Sequence, residues 1–271
     1  MTKKLSEFYN FAFEYLRIQT LPLIENGKIT YEQLEEYTTK TDVINLNYSL
    51  EDAQRMIIIC LQDYQSMPKV INYKDREKEI NTVICNLNSK EIAKKWEGEA
   101  LYRKFCTMFT INNKDSKRNS WLKFSKGIVS SAKFLSKFDS VEEFKGFLDC
   151  FNYNEHTREA LPLLLSQEIF GIQFALACNW LKELGLTYYP KPDIHMVKVF
   201  SALGICDENQ IDCYKAMISL AKKCNVNTYQ LDKVVWLICS GNYYRQEKVE
   251  IKSKNLRDNF IEEISRYKWV E

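Results

Sequence analysis

Punctuation is scarce in this chain: eight glycines and five prolines are spread over 271 residues. So few turn formers cannot serve the many tight reversals of a sandwich or barrel of short strands. Long helices remain, and several breaks fall where helices should stop. "FGIQFALACNWLKELG" ends at Gly185, "DIHMVKVFSALG" at Gly204 and "TYQLDKVVWLICSG" at Gly241, each after an apolar run of helical period. "DENQIDCYKAMISLAKKC" stops in the same way at Asn225. Start signals agree. Ser49 with Asp52 opens "SLEDAQRMIIICLQDYQ", and Ser140 with Glu143 opens "SVEEFKGFLDCF". "KLSEFYNFAFEYLRI" puts Leu5, Phe8, Phe11 or Ala12, and Tyr15 or Leu16 on one stripe. No strand hairpin, internal repeat or low-complexity linker stands out. The pattern predicts an all-α chain of two helical lobes. Helices in 1–50 pack with the C-terminal ones, a core spans 51–245, and a closing helix fills 246–271.

Hydrophobic residues make up 45% of the chain and charged ones 27%, enough to bury a large core and too apolar for disorder. The longest apolar runs, such as "MIIICL" (Met56–Leu61), are too short to span a bilayer, and "MTKKLSEFYNF" lacks a signal-peptide core. A monomer in the cytoplasm or on the nucleoid is the expectation. The nine cysteines include no CxxC pair. Scattered over apolar helical faces, and odd in number, they read as reduced buried thiols rather than metal ligands or a disulfide framework. No metal is expected. Net charge is only +2, but 101–138 holds nine Lys/Arg against the single acid Asp115. That local +8 leaves −6 for the rest of the chain, the electrostatic shape of a polyanion-binding face or of a solvated lysine-rich helix.

The stretch "TYYPKPDIHMVKVFSALG" places Asp193 directly after Pro192 at the start of an apolar helical run. Such an aspartate is a good N-cap. It is equally well placed to be a catalytic carboxylate whose charge the helix dipole stabilises.

Upstream, "ALPLLLSQEIFGIQFALACNWLKELG" reads as helix, tight turn and helix, with the turn at Ile169-Phe170-Gly171-Ile172-Gln173-Phe174. Turn and acid segment together resemble the helix-hairpin-helix DNA glycosylase superfamily. There a Leu-Pro-Gly-Val-Gly-x-Lys-Thr-Ala hairpin precedes a Val-Asp-x-His-Val-x-Arg segment at the spacing found here. The specific part is confined to Ile169–Gly204, within a general likeness over Ser49–Gly241. The resemblance implies that Asp193 stabilises positive charge on the sugar and orients or deprotonates water, with His195 in support. It implies that backbone N–H groups at Gly171, Ile172, Gln173 and Phe174 hold a phosphate of double-stranded DNA, with Lys191 as a further contact. It admits a monovalent cation at the hairpin and no other cofactor.

Departures are informative. Members with lyase activity carry a nucleophilic lysine where this chain has Ala175, so the resemblance implies a monofunctional enzyme that uses water. Gln173 replaces the second hairpin glycine, and Lys198 the usual arginine. The iron–sulfur cysteines of some members are missing, since Cys206-x6-Cys213 has no CxxC to complete it. A flipped base must be replaced in the stack and held in a pocket. Tyr64 and Gln65 are the wedge candidates; Trp180, Tyr188, Tyr189 and Trp121 are the pocket candidates. His156, in a polar loop, is given no role. Two readings from other classes stay open: a non-catalytic hairpin DNA binder, and an all-α interaction protein. Among substrates, damaged bases and modified bases of phage DNA are not distinguished.

Overall fold

The computed structural model describes residues 1–39, 47–63, 67–243, 249–251 and 255–271. Among these, fifteen α-helices carry the fold, and the all-α class holds. In chain order they are α1 (Phe8–Glu25), α2 (Tyr31–Thr39), α3 (Leu50–Gln62), α4 (Met67–Ile71), α5 (Tyr73–Val83), α6 (Ser89–Lys95), α7 (Gly98–Met108), α8 (Ser120–Leu135), α9 (Val141–Asp149), α10 (Glu155–Glu168), α11 (Phe174–Glu183), α12 (Ile194–Ala202), α13 (Gln210–Lys223), α14 (Thr228–Ser240) and α15 (Leu256–Ser265). The chain divides into a discontinuous unit, Met1–Ile44 with Leu186–Glu271, and a continuous unit, Asn45–Gly185. The division at 185/186 falls inside the 51–245 segment that the sequence pattern treats as one core.

Local signals place the helix ends. Ser49 accepts from the Asp52 N–H at 3.1 Å while Asp52 accepts from the Ser49 N–H at 2.9 Å, a reciprocal capping box. Ser140 caps the Glu143 N–H at 3.1 Å, but the Glu143 carboxylate turns back to the Asp139 N–H instead, at 2.7 Å. Gly185, Gly204, Gly241 and Asn225 all adopt positive φ at their helix ends.

In the discontinuous unit Leu5, Phe8, Ala12 and Leu16 are buried, so Ala12 and Leu16 occupy the positions that periodicity left ambiguous. They join Phe200, Met217, Leu237 and Phe260 in one core. Helix α1 runs past Ile18, buries Thr20 and Leu23 as well, and carries Pro22 in its last turn. Two short strands that no sequence pattern marks are added to the helices: β1 (Thr2–Lys4) pairs in parallel with β2 (Lys268–Val270) within this unit.

The continuous unit is organised around α8. Gln54, fully buried on α3, donates to Ser131 of α8 at 2.9 Å and accepts from Ser89 of α6 at 3.2 Å. A polar group in that position is tolerated because each of its ends finds a partner. Gly127 lets α8 lie close to the hairpin. A Cβ there would meet Leu61 Cδ2 at 2.7 Å and the Phe170 carbonyl oxygen at 3.2 Å.

Candidate functional site

The two motifs of the sequence lie in different units, the hairpin in the continuous one and Asp193 in the discontinuous one.

Between α10 and α11 the chain reverses through Ile169–Ile172, closed by Ile172 N–H donating to the Ile169 carbonyl at 3.2 Å. Gly171 takes φ +85°, the value a type II turn demands of its third residue and a glycine supplies at little cost. The Phe170 N–H donates to Ser130 Oγ at 2.9 Å, which in turn donates to the Glu168 carbonyl at 3.3 Å, so α8 braces the turn from behind. Gln173 is the N-cap of α11, in extended conformation, yet its side chain makes no capping bond. The Gln173 side chain thus leaves the Ala175 and Leu176 N–H groups uncapped, which suits anion binding on helix-dipole grounds. The loss of the second hairpin glycine does not distort the turn, because position 173 has φ −97°. Phe170 stands 48% exposed at the tip, beside a cleft of about 260 Å³ lined also by Leu61, Met67, Phe124 and Gln173.

The acid turn is built differently. Helix α14 holds the 187–191 strap from below: Thr228 donates to the Thr187 carbonyl at 2.7 Å, and Asp232 Oδ2 accepts from the Lys191 N–H at 3.0 Å. Asp232 is 1% exposed. Sequence reasoning passed over it, although Thr228 and Asp232 stand four apart on one helical face, a spacing that marks joint action. The Asp193 N–H closes a tight turn onto the Lys191 carbonyl at 2.9 Å. Asp193 then caps α12, its Oδ1 accepting from the His195 N–H at 2.9 Å and the Met196 N–H at 3.3 Å. Its Oδ2 has no hydrogen-bond partner among the described residues. Cap and candidate catalyst are therefore compatible, since one oxygen serves the fold and the other is unspent.

His195 sits one turn-step on, half-buried, with a buried Nδ1 that has no partner among the described residues. Burial pushes its imidazole below the ordinary histidine range; Asp193 opposes this, while Arg257, Lys191 and Lys198 push the same way. A neutral ring with an unsatisfied buried nitrogen can take a hydrogen bond from, or give one to, a water or ligand atom.

Of the pocket candidates, Trp180, Tyr189 and Trp121 are 0, 1 and 2% exposed and serve the cores. Trp180 donates to the Ala53 carbonyl at 3.1 Å, and Trp121 stacks on Phe109. Of the four, Tyr188 alone keeps a partly accessible ring, packed against Tyr189 at 5.0 Å. The wedge candidates Tyr64 and Gln65 lie outside the described residues. His156 is exposed at the start of α10. No group of three or more His, Cys, Asp or Glu able to hold a metal ion occurs among the described residues, and no helix among them is long and apolar enough to cross a membrane. Comparison with protein-family models, with curated proteins and with solved structures finds no match to this chain.

Proposed function

We propose that the chain is a monofunctional DNA glycosylase, which hydrolyses the bond between C1′ and the base nitrogen of a damaged or modified nucleotide flipped from duplex DNA. The observation that carries this reading is the division of labour within Asp193: Oδ1 caps α12, and Oδ2 has no hydrogen-bond partner among the described residues, while His195, two residues on, keeps a buried, unsatisfied Nδ1. As the C1′–N bond lengthens, positive charge grows on the sugar, and a fixed carboxylate lowers the energy of that state more than the ground state. Oδ2 takes a proton from the attacking water; the water oxygen bonds to C1′; the bonding pair leaves with the base, which is protonated in turn. Ala175 offers no amine for a Schiff base, so the product is an abasic site with both strands intact. The Ala175 and Leu176 N–H groups, which the Gln173 side chain does not cap, contribute to gripping the strand.

The test does not need the target base to be known. Duplexes carrying a cationic pyrrolidine in place of the nucleotide mimic the charged transition state, and a neutral tetrahydrofuran duplex is the control. The wild type should prefer the cation by about a hundredfold. Asp193→Asn should lose that preference and keep its affinity for the neutral duplex. Equal binding of both duplexes by the wild type leaves the non-catalytic hairpin DNA binder, and no salt-sensitive binding at all leaves an all-α interaction protein. A panel of modified-base duplexes then identifies the substrate through nicks that appear only after alkali.

A further inference from the structure

Residues 109–119, a polar break in the sequence, form a tightly built loop. Asn119, 9% exposed, donates through Nδ2 to the Asn112 and Asn113 carbonyls at 2.9 and 3.0 Å, and its Oδ1 accepts from the Trp121 N–H at 2.9 Å. Tyr102 of α7 donates to the Lys114 carbonyl at 2.8 Å, and the Ser116 N–H to the Asn113 carbonyl at 3.0 Å. The floor is equally fixed. Phe109 stacks on Trp121 at 4.9 Å, and the Arg76 guanidinium lies 5.3 and 5.5 Å from the two ring centres while donating to the Val70 and Ile71 carbonyls. Next to Trp121 opens a cleft of about 450 Å³, lined by Thr110, Asn112, Asn113, Ser116, Ser120 and Arg118, with Val70 and Ile111 as apolar wall.

The cations of the basic segment sort into two sets. On the long helix and its end they are spent: Lys126 pairs with Glu99 at 3.2 Å, Lys133 with Glu97 at 2.9 Å and Lys137 with Glu168 at 2.6 Å. Around the loop they are not. Lys117 and Arg118 are exposed, and their side chains have no acidic partner among the described residues. The same holds for Arg103, which adjoins Tyr102 and, one turn on, Cys106, whose carbonyl accepts from Lys114. Asp115 is the one acid in the segment.

We propose that this loop docks the phosphodiester backbone of duplex DNA, with Lys117 and Arg118 as direct phosphate contacts and Arg103 at their flank. Unpaired cations beside polar donors match a chain of phosphates, and a loop ordered in advance has little conformational entropy to lose on binding. The proposal rests on the DNA part of the function proposed above and is independent of its chemistry.

The experiment is a salt titration of binding to a short lesion-free duplex, comparing wild type, Lys117→Gln with Arg118→Gln, and Lys133→Gln with Lys137→Gln as a charge-matched control. Each lost phosphate contact should reduce the slope of log affinity against log salt by about 0.9, so the loop variant should lose nearly two units and the control none. Equal losses in both variants, an unchanged loop variant, or no binding by the wild type at low salt would overturn the proposal. So would tighter binding of duplex RNA through the same two cations. A wild type that shows the loop effect yet no preference for the pyrrolidine duplex refutes the glycosylase and leaves this surface standing.

Discussion

The hairpin turn and the acid turn solve opposite problems. At the hairpin, side chains do the bracing (Ser130 from α8, Leu61 against Gly171) and the backbone at the start of α11 is what is left over. At the acid turn the backbone is spoken for, by Asp232, Thr228 and the cap itself, and what is left over is one carboxylate oxygen and one imidazole nitrogen. A backbone site is insensitive to most side-chain substitutions and sensitive to any change of conformation. A side-chain site is the reverse. The contrast can be broken, or sharpened, one residue at a time.

Asp193 gives the largest expected effect because its two oxygens have different duties. Asn is as good an N-cap as Asp, so Asp193→Asn should leave the melting temperature unchanged while base release falls by about a hundredfold to a thousandfold. Asp193→Ala should lose both, with about 1 kcal/mol of stability going with the cap. If Asn and Ala destabilise alike, Oδ2 also serves the fold, and the division of labour is wrong.

Next comes the support beneath the acid turn. Asp232→Ala strands the part-buried Lys191 N–H, at a cost of about 1–3 kcal/mol. Asp232→Asn keeps an acceptor oxygen and should recover most of that loss in urea unfolding. At the hairpin the matching probe is Gly171→Ala. With φ at +85° and Leu61 Cδ2 at 3.3 Å from the new Cβ, it should cost about 1–2 kcal/mol and weaken duplex binding. Gln173→Ala should change neither, because the Gln173 side chain makes no capping bond.

These contrasts also show where reading a sequence works. The caps at Ser49 and Ser140 and the stops at Gly185, Gly204 and Gly241 were legible because each is decided within about one helical turn. The parallel pairing of Thr2–Lys4 with Lys268–Val270 was not, since two three-residue strands at opposite chain ends leave no local pattern. The same limit hid how much of the C-terminal half joins residues 1–44 in the discontinuous unit, and the pairing of Lys133 with Glu97 and Lys137 with Glu168, partners more than thirty residues apart in sequence. Charge counting along 101–138 therefore overstated one face, where the structure separates spent cations from free ones. Trp180 and Trp121 were illegible for another reason: an aromatic at helical spacing looks the same whether it faces a pocket or a core. Asp193 was legible as a cap, and that the cap uses one oxygen is visible only in three dimensions.

The smallest effect expected concerns His195, and it distinguishes a merely buried ring from a working one. Burial holds its folded pKa below the ordinary value of about 6.5 that the unfolded chain retains. The unfolded state then binds the proton more readily, so His195 should cost stability as the pH falls through and below that value, and cost nothing above it. His195→Gln should remove this component, making the urea midpoint of the variant gain on the wild type between neutral pH and pH of about 5. If the ring serves only the fold, that is the whole effect. If its Nδ1 meets water or substrate beside Asp193 Oδ2, kcat on the identified substrate should also fall in the variant at neutral pH, where the stability term is silent. An unchanged kcat across the pH range would return His195 to packing alone and leave Asp193 as the one chemical group of the turn.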